Sequence, residues 1–384
     1  MKHYKIFKTL LMIPLVAAFL WACSNGSSGS SQGTLSVGLT DTSTDRYLGV
    51  YVTVSEIQVH RSPDGEETEA GWITIGTPNT TYNLLDLVNG VRESLGLADL
   101  DTGHYTQMRL ILGDTADNSI NIFSEPHFYA NYVIDLVGNT HKLKVPSGMQ
   151  TGIKIVQGFD VSENETTELV LDFNAGASVV IAGNSGQYLL KPTINMLVTS
   201  DASIISGTVT KLLDDSGLSG ATVSAQIFDS TATDAEDRVN VRTATMSGDG
   251  GNYALFISPG TYNLVFYKTG YDAYVKKITV GAGDTVTQDG ALDATTIGTL
   301  ALTSSISDND SEAYATQSIR EDITMDDNNI EIELFSLNIA DGGSSLMMLP
   351  TGEVIVVSSS YAETTQSTTF IINTDIEAAL DISL

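Results

Sequence analysis

The sequence predicts a mainly β fold: tandem β-sandwich domains behind a short apolar amino-terminal segment. Three observations predict it. Apolar residues alternate with polar ones in short runs bounded by Gly, Asn, Asp and Pro, the pattern of half-buried strands joined by turns. Hydrophobic residues make up 42% of the chain, enough for packed cores and against wholesale disorder. A length of 384 residues predicts two or three domains.

In chain order, Lys2, Lys5 and Lys8 precede an apolar stretch from Thr9 to Ala22, which has the length of an export signal and is short for a membrane span. It ends at Leu20-Trp21-Ala22-Cys23, which resembles a bacterial lipobox, with Trp21 departing from the small residue usual there. The resemblance implies a lipoprotein signal peptide over 1–22 and a mature chain beginning at a lipidated Cys23. The expected partner is then the membrane, through a diacylglycerol thioether and an N-acyl chain; two or three acyl chains anchor stably, one only marginally. Residues 23–33 continue as an uncharged Ser/Gly-rich tether. Ser24, rather than Asp, resembles outer-membrane sorting if the host is Gram-negative, so the expected location is the cell envelope.

Cys23 is the sole cysteine, which excludes a disulfide framework, a cysteine zinc site and covalent haem. The chain carries 47 acids against 18 bases, a net charge of −29, which excludes nucleic acid as a partner. Loss of the three signal lysines makes it −32.

Residues 34–200 read as a β-rich domain. Thr34 to Leu39, Val50 to Val59, Trp72 to Ile75, Gln107 to Leu112, Val133 to Leu136, Ile153 to Val156 and Glu168 to Phe173 are the strand candidates. Val50, Val52, Val54 and Ile57 share a face after a slip. Tyr82 to Leu97 is the best helical candidate; Gly90 and Gly96 interrupt it, so a short helix or turn is expected. The segments Val54-Ser-Glu-Ile-Gln-Val-His-Arg61, Asn83-Leu-Leu-Asp-Leu-Val-Asn-Gly90, Tyr105-Thr-Gln-Met-Arg-Leu-Ile-Leu112 and Leu189-Leu-Lys-Pro-Thr-Ile194 occur in an order that resembles a family of bacterial lipoprotein domains of unknown function. The resemblance implies an exported β domain and supplies no activity.

The polar candidates in this region are Asp41, Asp45, Glu56, His60 and Arg61. His60 is expected as an exposed or hydrogen-bonded strand-end residue, Glu56 as a solvent-facing one and Arg109 in a structural ion pair. Tyr105 and Arg109 share parity and are expected to stack. The loop from Val145 to Gly152 lacks the lysine of a phosphate cradle, Lys154 comes too late, and Ser147 stands in no nucleophile motif.

Residues 201–293 open on Ile205-Ser-Gly-Thr-Val-Thr210 and continue through Gly248-Asp-Gly-Gly-Asn-Tyr253 to Ser258-Pro-Gly-Thr-Tyr262 and Gly270-Tyr271. They resemble the carboxypeptidase regulatory-like module, a seven-stranded transthyretin-like sandwich in a class also grouped with starch-binding folds. Gly248, Gly250 and Gly251 are expected to supply positive-φ turns. Tyr262, Leu264 and Phe266 alternate toward a core that Tyr253 and Leu255 join, while Val265 and Tyr267 face away. Asp229 to Arg238 reads as an exposed loop. Tyr267, Tyr271 and Tyr274 are the candidates for a sugar platform here, with core or edge packing the expected role.

Residues 294–384 read as an acidic C-terminal β domain with 15 acids and one base, Arg320. Asp308-Asn-Asp310-Ser-Glu312 resembles the start of a calcium loop, but Ala313 and Ile319 stand where Gly and Glu are needed. Asp322, Asp326, Asp327, Glu331 and Glu333 could gather on a rim, with a solvated acidic surface as the plainer reading. His60, His104, His127 and His141 show no metal-ligand spacing, and no dinucleotide or P-loop fingerprint occurs, so neither metal nor cofactor is expected.

The expectation is a membrane-anchored envelope lipoprotein, not an enzyme, serving as a binding, adhesion or structural display protein. Its expected partner beyond the membrane is a polysaccharide or an envelope protein. The alternatives are a carbohydrate-binding surface protein, marked by exposed aromatics, and a hydrolase, marked by a deep pocket in the first domain with two close carboxyls, one of them strongly raised in pKa.

Overall fold

The computed structural model describes residues 31–383 except 43, 45, 62–70, 89, 146–151, 183–186, 200–201, 307–312, 326, 361–364 and 375–377. Residues 1–22, expected as a signal peptide, and Cys23, Asp45, Ser147, Asp308, Asp310, Glu312 and Asp326 lie outside the described residues. The fold is mainly β, and the α-helix found among the described residues, Ala175–Ser178, is four residues long.

The first region is a sandwich. One mixed sheet places Gln32–Thr42 between Glu93–Asp101, antiparallel, and Thr166–Asn174, parallel, with Ile194–Val198 outside the latter. The facing sheet is built on Tyr47–His60, which pairs with Gln107–Leu112, Asn131–Asp135, Trp72–Gly76 and Thr80–Asn83. Leu35, Val37 and Leu39 pack from the first sheet against Val50, Val52, Val54 and Ile57 from the second. The slip between Val54 and Ile57 is a bulge, where the register with Gln107–Leu112 shifts between Val54 and Glu56. The short helix or turn expected within Tyr82 to Leu97 is a 3-10 turn at Leu84–Asp86, while Tyr82 and Asn83 end the strand Thr80–Asn83 and residues 93–97 begin the strand Glu93–Asp101. Edge pairing with Gln32–Thr42 decides the second half.

The middle region is a sandwich of two sheets. Asn252–Ile257, Ser203–Lys211 and the pair Thr285–Thr287 and Gly290–Leu292 form one; Val239–Met246, Thr222–Phe228, Gly260–Tyr267 and Tyr274–Val280 form the other. Thr285–Thr287 and Gly290–Leu292 follow one another along the same neighbour, so the strands occupy seven positions. Tyr253, Leu255, Tyr262, Leu264 and Phe266 fill the core. Gly250 (φ 76°) and Gly251 (φ 82°) take the left-handed turn; Gly248, at φ −83°, does not.

The last region packs Ile297–Ser305, Ser344–Pro350 and Ala378–Ser383 against an antiparallel sheet of Tyr314–Met325, Asn328–Ala340, Gly352–Ser360 and Thr365–Ile372. That sheet is continuous with the first region, because Val180 and Ile181 pair in parallel with Asn338 and Ile339. Its core also takes Val265 and Tyr267 from the middle region. The three regions therefore share surfaces. Gln226 bonds both the backbone N–H (2.9 Å) and the carbonyl (2.7 Å) of Glu333. Arg320, 2% exposed, donates to Glu331 (2.7 Å) and to the carbonyls of Ala235 (2.7 Å) and Glu236 (3.2 Å). The 229–238 loop, expected to be exposed, is thus docked at its carboxyl end by the one base of the last region. Glu331 faces Arg320, and Glu333 accepts from Ser318. These two acids turn inward instead of toward a rim, and no metal-holding cluster of three His, Cys, Asp or Glu is found among the described residues.

Candidate functional site

An open concavity of about 1580 Å³ lies in the first region beside the connection 113–130. Polar groups hold this segment. Asn121 accepts from the amides of Phe123 (2.9 Å) and Glu125 (3.2 Å), and its own N–H donates to the Glu125 carbonyl (2.8 Å). Asp117 accepts from the amide of Thr81 (2.9 Å), and the Ile122 amide donates to the Tyr51 hydroxyl (2.8 Å). Because these bonds fix the backbone, the apolar side chains need not pack inward. Phe128 is 57% and Tyr129 42% exposed, and Ile120, Ile122 and Phe123 are exposed beside them. The far wall carries His141 stacked on Tyr188 (4.3 Å between centroids), with Lys142 and Lys144 on the same strand. Two lysines oppose Asp114 and Asp117, so the lining carries no net formal charge on a chain of −29.

Under the connection runs a chain of hydrogen bonds that joins Tyr132, His127, Ser119 and Asp117. Burial opposes the charge on Asp117, but the hydroxyl and amide of Ser119 and the Thr81 amide outweigh it and hold the carboxyl below its ordinary range. Ionised Asp117 only accepts, so Ser119 donates to it (2.6 Å) and receives from Nε2 of His127 (2.8 Å). Burial lowers the His127 pKa, against the pull of Asp117. Its neutral Nδ1 then accepts from the Tyr132 hydroxyl (2.7 Å), whose pKa burial raises. In this order His127 already presents a proton to Ser119 and is no base for it. Of these four residues the sequence singles out only His127, and only as a histidine without metal-ligand spacing. They fit no motif, and only the length of the connection between two strands marked the segment.

Of the acids the sequence singles out in the first region, Asp41 has a carboxylate neighbour, Asp172, which the sequence does not single out. Burial pushes Asp41 well above the carboxylate range, and Asp172 up to about 6. Thr40 and Asp41 stand opposite Asp172 and Phe173 in parallel register, so Asp41 and Asp172 project from opposite faces of their sheet. Asp41 accepts from the Ala175 amide (2.9 Å); Asp172 accepts from Thr42 (3.0 Å) and, across the seam, from Thr243 (3.0 Å). Both residues line one cavity, of about 230 Å³.

Of the remaining candidates, His60 is buried against the Trp72 ring (5.0 Å), a correction to the exposed alternative. Glu56 is half-buried, and bonds from Thr74 and Gln58, with the nearby Arg109 charge, lower its pKa. Arg61 lies 4.0 Å from Asp101. Arg109 sits over Trp72 (4.3 Å) and donates to Gln58. Tyr105 stacks on Phe159 (5.4 Å), not on Arg109, because the chain breaks strand at Thr106 and the parity argument fails across it. Lys154 lies on a strand paired with Arg109. Tyr267 is buried against Phe335, Tyr274 packs on Phe266 and Tyr271 is half-buried, so the middle region presents no sugar platform in these three.

Residues 32–192 match a family described as a domain of unknown function, DUF4382, and residues 204–293 match the carboxypeptidase regulatory-like domain. The chain thus carries these two domains in that order. The second description names a regulatory-like module, not a catalytic one. No curated protein matches the sequence. Among solved structures, the Bacillus anthracis TIE protein aligns at 11% identity and TM-score 0.20 over 92% of this chain and 51% of that one. A streptococcal ancillary pilin aligns at 10% and 0.21 over 92% and 98%, and the shaft pilin SpaA of Lactobacillus rhamnosus GG at 8% and 0.19 over 48% and 98%. The chain spans about half the length of the first of these. Scores at this level carry no argument about ligand or assembly. Among the described residues no helix is long and apolar enough to cross a membrane.

Proposed function

We propose that this chain is an envelope lipoprotein, anchored through Cys23, that binds an uncharged polysaccharide without catalysis in the groove beside 113–130. One observation carries the reading: solvent-facing aromatic rings, Phe128 and Tyr129, in a groove whose lining charges cancel on a strongly acidic chain. Sugar rings present flat C–H faces to aromatic side chains and hydroxyls to polar ones, and a neutral polymer avoids both attraction and repulsion from the −29 surface. The Ser/Gly tether would hold the groove away from the lipid surface, which in a Gram-negative host is the outer membrane.

Glycan arrays probed with the chain from Ser24 to Leu384 test the ligand. Binding to neutral glycans, lost in the Phe128→Ala/Tyr129→Ala double variant, supports the proposal; no glycan binding, or binding unchanged in the double variant, overturns it. The anchor has its own test: Cys23→Ser should move the protein from the membrane to the soluble fraction, and unchanged membrane retention would sink it.

A further inference from the structure

A second cavity, of about 360 Å³, lies where all three regions meet. Its volume falls within the span of small-molecule sites, roughly 300–1,000 Å³. Its walls are mixed, with an apolar stretch on one side and polar groups on the other residues of the lining. Leu346 (66% exposed) and Met348 (56%) project from Ser344–Pro350, Leu136 comes from the first region, and Tyr267 lies at the base.

Two cations share the cavity, Arg46 from the first region and Lys268 from the middle one. Among the described residues the Arg46 guanidinium has neither an ion pair nor a hydrogen bond, and the Lys268 ammonium bonds only the Gly220 carbonyl (3.1 Å). Glu333, the acidic residue in the lining, is accounted for elsewhere: its carboxyl accepts from Ser318 beside Arg320, and its backbone is held by Gln226. This is unusual on a chain where acids outnumber bases 47 to 18. Any free cation there has an excess of carboxylates from which to draw a partner, yet among the described residues neither of these two forms an ion pair.

We infer that this cleft binds an amphipathic anion, a medium-chain fatty acid, with its carboxylate on Arg46 and Lys268 and its alkyl chain along Leu346, Met348 and Leu136. Guanidinium and ammonium donors make charge-assisted bonds to a carboxylate, and the apolar stretch shields the alkyl chain from water. The thioether of Met348 adapts to a flexible alkyl ligand. Both unpaired charges and exposed apolar area are then satisfied by one molecule.

The test is calorimetric titration of dodecanoate, below its micelle concentration, into the chain from Ser24 to Leu384. Saturable one-to-one binding is expected. Arg46→Gln/Lys268→Gln should weaken it about tenfold or more, the loss of charge-assisted bonds. Leu346→Asn, on the opposite wall, should weaken it as well, and guards against a fold effect in the first variant. Absence of saturable binding overturns the inference, as does an affinity unchanged in either variant. The result is independent of the 113–130 groove, which shares no lining residue with this cleft.

Discussion

The first and middle regions deploy their aromatic residues in opposite ways. In the middle sandwich Tyr253, Tyr262 and Phe266 are buried in the core, and Tyr267, facing away from it, is buried by the last region. Both faces of that sheet are covered, so period-two alternation leaves no ring in solvent. In the first region Phe128 and Tyr129 sit on a connection whose backbone is held by Asn121, Asp117 and Tyr51. A segment pinned by polar groups can leave its apolar side chains outside. Aromatic content therefore says little about binding until the covering of each face is known.

The largest effect should come from the buried side of this contrast. Phe266 lies edge-on to Tyr253 (5.6 Å), with Gly290 against its ring. Phe266→Ala should cost about 3–5 kcal/mol, read as a lower denaturant midpoint, because the cavity cannot collapse between two sheets. A loss below about 1 kcal/mol would mean the core is far more loosely packed than its burial indicates.

The seam between the two regions offers a pH test of intermediate size. Asp172 stands at about 6 when folded, against 3.8 as its ordinary value. Between those values the folded chain holds a proton that the unfolded chain has released, so stability falls as pH rises through about 4 to 6. The difference corresponds to about 3 kcal/mol. Asp172→Asn should remove this share of the slope and stabilise the protein at neutral pH. An unchanged pH profile in that variant would mean that water reaches Asp172 at the seam.

The smallest effect belongs to the exposed side. Phe128→Ala should change stability by less than about 0.5 kcal/mol while it lowers glycan binding. A large stability loss would make Phe128 a packing residue and erase the contrast.

The strands were the readable part of the sequence. Thr34 to Leu39 alternates cleanly because one face of the strand is buried. Tyr82 to Leu97 was harder to read, since Leu84, Leu87 and Leu95 also suit a helical spacing, and the strand that claims Leu95 pairs with residues some sixty positions earlier. The site was less readable. Segment 113–130 has no periodicity, and exposure of Phe128 depends on hydrogen bonds from Asn121 and Asp117 that leave no pattern. Arg320 carried a clearer signal: one base among 15 acids has a narrow choice of roles, and burial against Glu331 is its role.

Among the described residues the strand Gln32–Thr42 comes first in the chain, and it is flanked on both sides, by a parallel and an antiparallel neighbour. A pull arriving from the amino-terminal side enters at the start of this strand, in line with its length. Hydrogen bonds to both neighbours then bear the load together in shear, instead of opening one after another as a zipper does. Held from that side, the strand would act as a mechanical clamp.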